Sequence, residues 1–284
     1  MSTHITHPDR RMFAGSPYTK ADVAAYYRDV ARWMLPELVR RPLSLVRCPD
    51  GADGECFFQK HHAAALGRHV HAIALRQKSG TEDYLYVDSL DGVLELVQMN
   101  AVEFHPWGAR IDDPETPDRL VFDLDPAPGI AWPQIIDAAR TVRDRLRQIG
   151  LQSFVRLSGG KGLHVVVPIA REHGWEEARH FCESFARAMV AQAPGTYIAT
   201  MSKARREGLI FIDWLRNARG ATSVTSWSLR ARAGAPVAMP LRWDELGRID
   251  RADAFDLSSA RQRAKRLRKD PWDGIDRMAQ RLPL

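Results

Sequence analysis

The sequence predicts an α+β fold, and three stretches carry that prediction. Leu120-Val121-Phe122-Asp123-Leu124-Asp125-Pro126 alternates as a strand does, with Leu120, Phe122 and Leu124 on one face and Val121, Asp123 and Asp125 on the other. Ile135, Ala139, Val142, Leu146 and Ile149 recur at helical spacing after Pro133, which a helix tolerates in its first turn, and stop at Gly150. Phe154-Val155-Arg156-Leu157, the glycine turn Ser158-Gly159-Gly160-Lys161-Gly162, and Leu163-His164-Val165-Val166-Val167-Pro168 read as strand, turn, strand.

The composition is that of an ordinary globular chain, 45% hydrophobic and 27% charged over 284 residues, enough to bury a sizeable core. A net charge of +6 and a pI of about 9.4 favour polyanionic partners, nucleic acid first. Met1 to Arg11 is polar, without the apolar region of a secretion signal, and no apolar run approaches the ~18 residues that span a bilayer. We therefore expect a cytoplasmic protein with no membrane partner. Cys48, Cys56 and Cys182 are odd in number and contain no Cys-x-x-Cys. That pattern suggests buried thiols in a reducing compartment, with neither a zinc site nor a disulfide framework.

In chain order, Thr19-Lys20-Ala21-Asp22 reads as a capping box, and Val23, Tyr27, Val30 and Met34 continue a helix to about Pro36. Residues 40–47 look like a strand with basic flanks, followed by the turn-rich Pro49 to Gly54. Phe57 and Phe58 come next. On an extended segment adjacent rings face opposite ways, so either both faces are covered or at least one ring is exposed, beside Arg47 and Lys60, as a platform for a base. His61, His62, His69 and His71 match no metal-ligand spacing and are read as loop residues. Strands are expected at 71–76 and 84–87 and a helix at 91–99. In Val102-Glu103-Phe104-His105-Pro106-Trp107, alternation puts Glu103 and His105 on one face.

The two aspartates of the 120–126 strand share a face at a strand end. Neighbouring like charges are comfortable in water, with a shared proton, or around a divalent cation; an edge strand showing both to solvent is the plain alternative. The glycine turn fits neither the Walker A nor the dinucleotide pattern, but its N–H groups could crowd toward an anion with Ser158, Lys161 and His164 as further donors. A helix is expected from Trp175 to Gln192. The basic segment Met201 to Arg206 then feeds an apolar run, Leu209 to Ile212, that ends in Asp213. Burying a lone carboxylate there is costly unless a cation or donors satisfy it, and a third acidic ligand beside Asp123 and Asp125 would resolve the cost. Arginines and hydroxyl residues between 216 and 232 suit phosphates, and the basic run 261–269 reads as a solvated helix face.

Together these residues resemble the polymerase domain of bacterial DNA ligase D, within the archaeo-eukaryotic primase superfamily. The resemblance covers nearly the whole chain. Its strongest parts are Asp123-Leu124-Asp125, Ser158-Gly159-Gly160-Lys161-Gly162-Leu163-His164, and Phe211-Ile212-Asp213 with its arginine-rich continuation; Thr6 to Arg10, Phe57 to Lys60, His105-Pro106-Trp107 and Ser228 to Arg232 support it. It implies a single primase-polymerase domain over 1–284: an end-binding part at 1–110, a catalytic core at 111–240 and a basic helical segment at 241–284. The implied core is a modified RNA-recognition-like sheet packed against a second, N-terminal sheet with helices.

The same resemblance implies template-guided addition of nucleotides, ribonucleotides preferred over deoxyribonucleotides, to DNA ends or gaps in non-homologous end joining. Two manganese ions would serve, with magnesium as the alternative. Ku and a ligase, on the same or a separate chain, would be partners of a monomeric, bacterial, nucleoid-associated protein. Asp123, Asp125 and Asp213 match the metal triad. Ser158, Gly159, Gly160, Lys161, Gly162, His164, His105, Lys203, Arg206 and Arg230 match or flank nucleotide-handling positions. Arg10 and Lys20 match residues that hold a 5′-phosphate, Phe57 and Phe58 match a template-stacking pair, and Arg47 and Lys60 flank them. Arg10 replaces a usual lysine and keeps its charge, whereas Val46 and Leu209 stand where basic residues occur in some members, losses that weaken the expected hold on a DNA end. The chain has no Lys-x-Asp-Gly, so no nick-sealing centre is expected. A metal-dependent nuclease and a non-catalytic end-binding module are the alternatives.

Overall fold

The computed structural model describes residues 3–51, 54–78 and 80–283, with the backbone alone for 64 and 203. In chain order the elements are α1 (Lys20–Leu38), β1 (Leu43–Arg47), β2 (Phe57–Gln59), β3 (Val70–Gln77), β4 (Gly80–Val87), α2 (Leu90–Gln98), β5 (Ala101–Pro106), β6 (Arg119–Pro126), α3 (Trp132–Gln148), β7 (Phe154–Leu157), β8 (Leu163–Pro168), α4 (Trp175–Gln192), β9 (Tyr197–Ile198), β10 (Ile210–Asp213), β11 (Met239–Leu241) and α5 (Leu257–Arg266). The chain forms two compact units, the first from Met1–Asp112, Val224–Met239 and Phe255–Arg268, the second from Asp113–Ser223, Pro240–Ala254 and Lys269–Leu284. Among the described residues no helix is long and apolar enough to cross a membrane.

In the first unit, α1 opens on the expected capping box: the Thr19 N–H donates to Asp22 and the Asp22 N–H to the Thr19 hydroxyl. Its apolar stripe, Val23, Ala24, Tyr26, Tyr27, Val30 and Met34, is buried. The two tyrosines also anchor other segments, Tyr26 donating to the Trp227 carbonyl (2.9 Å) and Tyr27 to that of Val102 (2.6 Å). A three-stranded antiparallel sheet runs β2-β1-β5, and β3 and β4 pair antiparallel as a separate two-stranded sheet, with Ser79 outside the described residues.

Two expectations change here, and one open alternative is decided. Cys48 and Cys56 form a disulfide, where the odd cysteine count suggested free thiols; spacing cannot reveal that the β1–β2 hairpin brings the two side by side. Cys182 is a buried free thiol as expected. Of the clustered histidines, His71 lies within β3 and is not a loop residue; it pairs with Asp88 (3.2 Å), as His69 does with Glu95 (2.7 Å). Phe57 and Phe58 are both exposed, 47% and 71%, on β2, which is an edge strand.

The second unit is built on a six-stranded sheet, ordered β11-β7-β8-β6-β10-β9. The pairs β7/β8, β8/β6 and β6/β10 are antiparallel and β10/β9 parallel. The Phe122 face of β6 is covered by α4, whose Phe185 ring lies 4.8 Å from that of Phe122. On the opposite face, Val121 packs with Val166 and Trp272, so the C-terminal segment covers the Arg119 end of β6 and leaves the other end to the aspartates. Helix α3 has Pro133 in its first turn and buries Ile135, Ile136, Ala138, Ala139, Val142 and Leu146. Ile149, read from spacing as part of that stripe, is instead the exposed residue at the helix end.

Candidate active site

Four strands of the second unit line up one polar side chain each. Arg156 on β7 pairs with His164 on β8, His164 with Asp123 on β6, and Asp123 with Asp213 on β10. Directly paired residues project from the same face, so the four form a row across the sheet. Asp125, two residues beyond Asp123, shares that face opposite Phe211. The sheet thus gathers Asp123, Asp125 and Asp213, although Asp213 is far away in sequence.

Cations already answer this charge. The Arg216 guanidinium lies 3.2 Å from Asp213 and 3.6 Å from Asp123, bridging the pair. Arg206 lies 3.7 Å from Asp125 and stacks 3.6 Å above the Phe211 ring. Burial pushes the Asp213 carboxyl above its usual range, opposed by Arg216, the Leu215 N–H and Arg206, while Asp125 adds to the rise. His164 is buried between Arg156 (3.0 Å from Nδ1) and Asp123 (3.6 Å from Nε2). Arginine can only donate, so Nδ1 accepts and the imidazole proton sits on Nε2, facing Asp123.

Beyond the row, the glycine turn closes on itself. Ser158 Oγ accepts the N–H groups of Gly160 and Gly162 (both 3.2 Å), and the Gly159 N–H donates to Ala252. Those three donors are therefore engaged within the protein, contrary to the expectation that they crowd toward an anion. Lys161 is exposed at the tip. Gly162 sits so near β6 that a Cβ there would fall 1.9 Å from the Leu124 carbonyl oxygen, so the turn abuts the strand end that carries Asp125. Lys203 lies in a short helical turn, and its side chain is outside the described residues.

The first unit holds the remaining site candidates. His105 and Arg230 both converge on Glu103: His105 Nε2 is 2.7 Å and Arg230 Nε 2.9 Å from Oε2, and the Ala231 N–H donates to Oε1 (2.7 Å). Burial works to raise the Glu103 pKa, but these partners win and hold it at about 2. Phe58 meets the His105 ring edge-on at 5.7 Å. Arg47 donates to Gln59 and the Met99 carbonyl and lies 5.6 Å from the Phe57 ring, while Lys60 is near Tyr84 and Glu82. Lys20 is buried with its Nζ 2.6 Å from the Gln98 carbonyl. Burial first, and the neighbouring Arg10 second, lower its pKa to about 8. The sequence does not single out Glu103 or Arg156 for the site, and it marks Arg216 only as one of the arginines that suit phosphates. Their signals were the i, i+2 placement with His105, a lone charge inside an apolar strand, and the i+3 position after Asp213.

Residues 19–272 match the family model described as LigD, primase-polymerase domain. The chain belongs to that family. As a LigD primase-polymerase it is a nucleotidyltransferase. It is 37% identical over 94% of its length to the multifunctional non-homologous end joining protein LigD of Pseudomonas aeruginosa, and 32% identical over 85% to that of Mycolicibacterium smegmatis. It spans 32% of each of those relatives. The polymerase domain from Mycobacterium tuberculosis ligase D, solved in complex with DNA, matches with a TM-score of 0.89 at 30% identity, over 98% of this chain and 99% of that one.

In the conformation present, no three acidic, histidine or cysteine side chains among the described residues are grouped so as to hold a metal ion. The donor set nevertheless fits one: three carboxylates, hard oxygen donors, share one face, and two of them are bridged by a half-exposed guanidinium whose charge stands in for a cation.

Proposed function

We propose that this LigD primase-polymerase adds nucleotides, ribonucleotides in preference to deoxyribonucleotides, to the 3′ end of a DNA strand at a break or gap bearing a 5′-phosphate. Asp123, Asp125 and Asp213 would hold two divalent cations, manganese by preference, as Arg216 swings away from Asp123 and Asp213. Such ions supply charge stabilisation for the attacking and leaving oxygens of an in-line displacement. The observation that carries this reading is the direct pairing of Asp123 with Asp213, with Asp125 on the same face. It is the arrangement of hard ligands that transfer from a triphosphate requires.

The chain's own residues then act on substrate and ligands. His164, its proton directed at Asp123 and its other nitrogen held by buried Arg156, fixes the orientation of that carboxylate. Arg206, stacked flat on Phe211, leaves Asp125 to meet the incoming triphosphate, and exposed Lys161 adds a second charge for it. Ser158, at the turn, is assigned to the ribose hydroxyls. In the first unit, Arg10 and Lys20 receive the 5′-phosphate, and Phe57 and Phe58 stack on the template. The names of the relatives place them in non-homologous end joining, which makes Ku and a ligase the partners to expect.

One primer-extension experiment tests this: a labelled primer on a gapped duplex with a 5′-phosphate, four ribonucleotides and manganese. Lengthening is expected. Asp123→Ala should abolish it while duplex binding stays measurable, and a chelator should do the same to the wild type. Shortening of the label means a nuclease, binding without any change in length means an end-binding module, and full extension by Asp123→Ala overturns the metal assignment.

A further inference from the structure

We propose that Cys48 and Cys56 form a reversible thiol–disulfide centre whose oxidised form holds the Phe57–Phe58 platform ready for a DNA end. This rests on the reading that those rings receive DNA. The two cysteines are bonded, with Cα atoms 4.3 Å apart, just beyond the Arg47–Phe57 pair that closes the β1–β2 ladder. The halves of this hairpin are held very differently. On the Cys48 side, the Cys48 N–H donates to the Asn100 carbonyl (3.0 Å). The Pro49 carbonyl accepts from both Arg10 and Asn100, and Gly51 is packed so tightly on Arg11 that a Cβ would fall 2.1 Å from its carbonyl oxygen. On the Cys56 side there is β2 alone, an edge strand of three residues whose two phenylalanines are both exposed. The disulfide therefore ties the weakly held, ring-bearing strand to the firmly held segment that also anchors Arg10.

The chemistry is thiol–disulfide exchange. Cys48 is 1% exposed whereas Cys56 is open to solvent, so Cys56 is the thiol a small reagent meets first. Its thiolate attacks a low-molecular-weight disulfide, releasing one small thiol and forming a mixed disulfide. The Cys48 thiolate then displaces the second small thiol and closes the Cys48–Cys56 bond. Two protein thiols are oxidised by two electrons, the small disulfide is reduced to two thiols, and the two protons end on those thiols. Reduction runs the same steps backwards.

The full chain is equilibrated with oxidised glutathione or with a phosphine reductant. Alkylation with mass spectrometry then reports Cys48 and Cys56, and fluorescence anisotropy reports the affinity for a gapped duplex with a 5′-phosphate. The oxidised form should resist alkylation at both positions and bind about tenfold more tightly, the order expected when one or two side chains no longer have to be immobilised on binding. Cys56→Ser should bind like the reduced wild type and lose the response to oxidant; the reduced wild type gives the same comparison should that variant fold poorly. Alkylation of both cysteines after oxidant treatment overturns the centre. A disulfide that forms while both states bind the duplex equally overturns its control over binding and leaves the end-binding reading standing. A disulfide that forms while neither state binds the duplex overturns that control together with the end-binding reading.

Discussion

Glutamine in place of Glu103 should destabilise the protein in a manner that depends on pH. The carboxylate is 6% exposed and gathers His105, Arg230 and the Ala231 N–H, which bring its pKa from 4.5 to about 2 against the opposing effect of burial. The folded value lies below the unfolded one, so the stabilisation is complete above pH 4.5 and is lost as pH falls from there toward 2. At about 1.4 kcal/mol per tenfold change in acidity, the carboxylate contributes roughly 3 kcal/mol at pH 7 and about 1.4 kcal/mol at pH 3. Glu103→Gln keeps the shape and one acceptor but not the charge, so its deficit relative to wild type should shrink by about half between those two pH values. Urea unfolding followed by tryptophan fluorescence measures it, since Trp107 and Trp227 are buried in the same unit. A deficit that is unchanged at pH 3, or below about 0.5 kcal/mol at pH 7, would refute the assignment of Glu103 as an ionised hub.

Three further expectations follow from the same geometry. Arg216→Ala removes the guanidinium that competes for Asp123 and Asp213, so the calorimetric midpoint for manganese without nucleotide should fall about two- to fivefold; a midpoint that rises or stays put contradicts a stand-in role. Lys20, with a pKa of about 8, loses its charge between pH 7 and 9, so preference for a 5′-phosphate over a 5′-hydroxyl should decline across that range, and a flat profile would remove it from the phosphate site. Gly162→Ala forces a methyl group onto the Leu124 carbonyl, with a cost of about 1–3 kcal/mol in chemical unfolding and at least a tenfold loss of nucleotide addition; wild-type behaviour in both would mean the turn has room the structure does not show.

Local pattern made most elements legible. The α1 capping box, the α4 boundaries and the strand–turn–strand at 154–168 all follow from periodicity and turn chemistry, which are properties of contiguous residues. The alternation in β6 also put Asp123 and Asp125 on one face before any partner strand was known. What pattern cannot supply is pairing between distant segments. Nothing local says that β10 lies beside β6 rather than beside β8, so the meeting of Asp213 with Asp123 was inferred from the cost of a lone buried carboxylate and from family resemblance. The Cys48–Cys56 bond was hidden for the same reason: eight residues of separation are compatible with adjacency but do not demand it. The partners of the glycine-turn N–H groups, Ser158 and Ala252, are likewise beyond local pattern, because they are settled by where a hydroxyl and a distant carbonyl fall.

The four-strand alignment of Arg156, His164, Asp123 and Asp213 makes correct zippering of this sheet and assembly of its chemistry a single event. A slip of β6 by one position against either neighbour would swing both of its carboxylates toward Phe185 and bring Phe122 and Leu124 out beside a histidine and an arginine. A misregistered sheet would thus carry buried, unanswered charge. Deleting a single residue within β6 should accordingly yield insoluble chain and not a soluble but inactive enzyme.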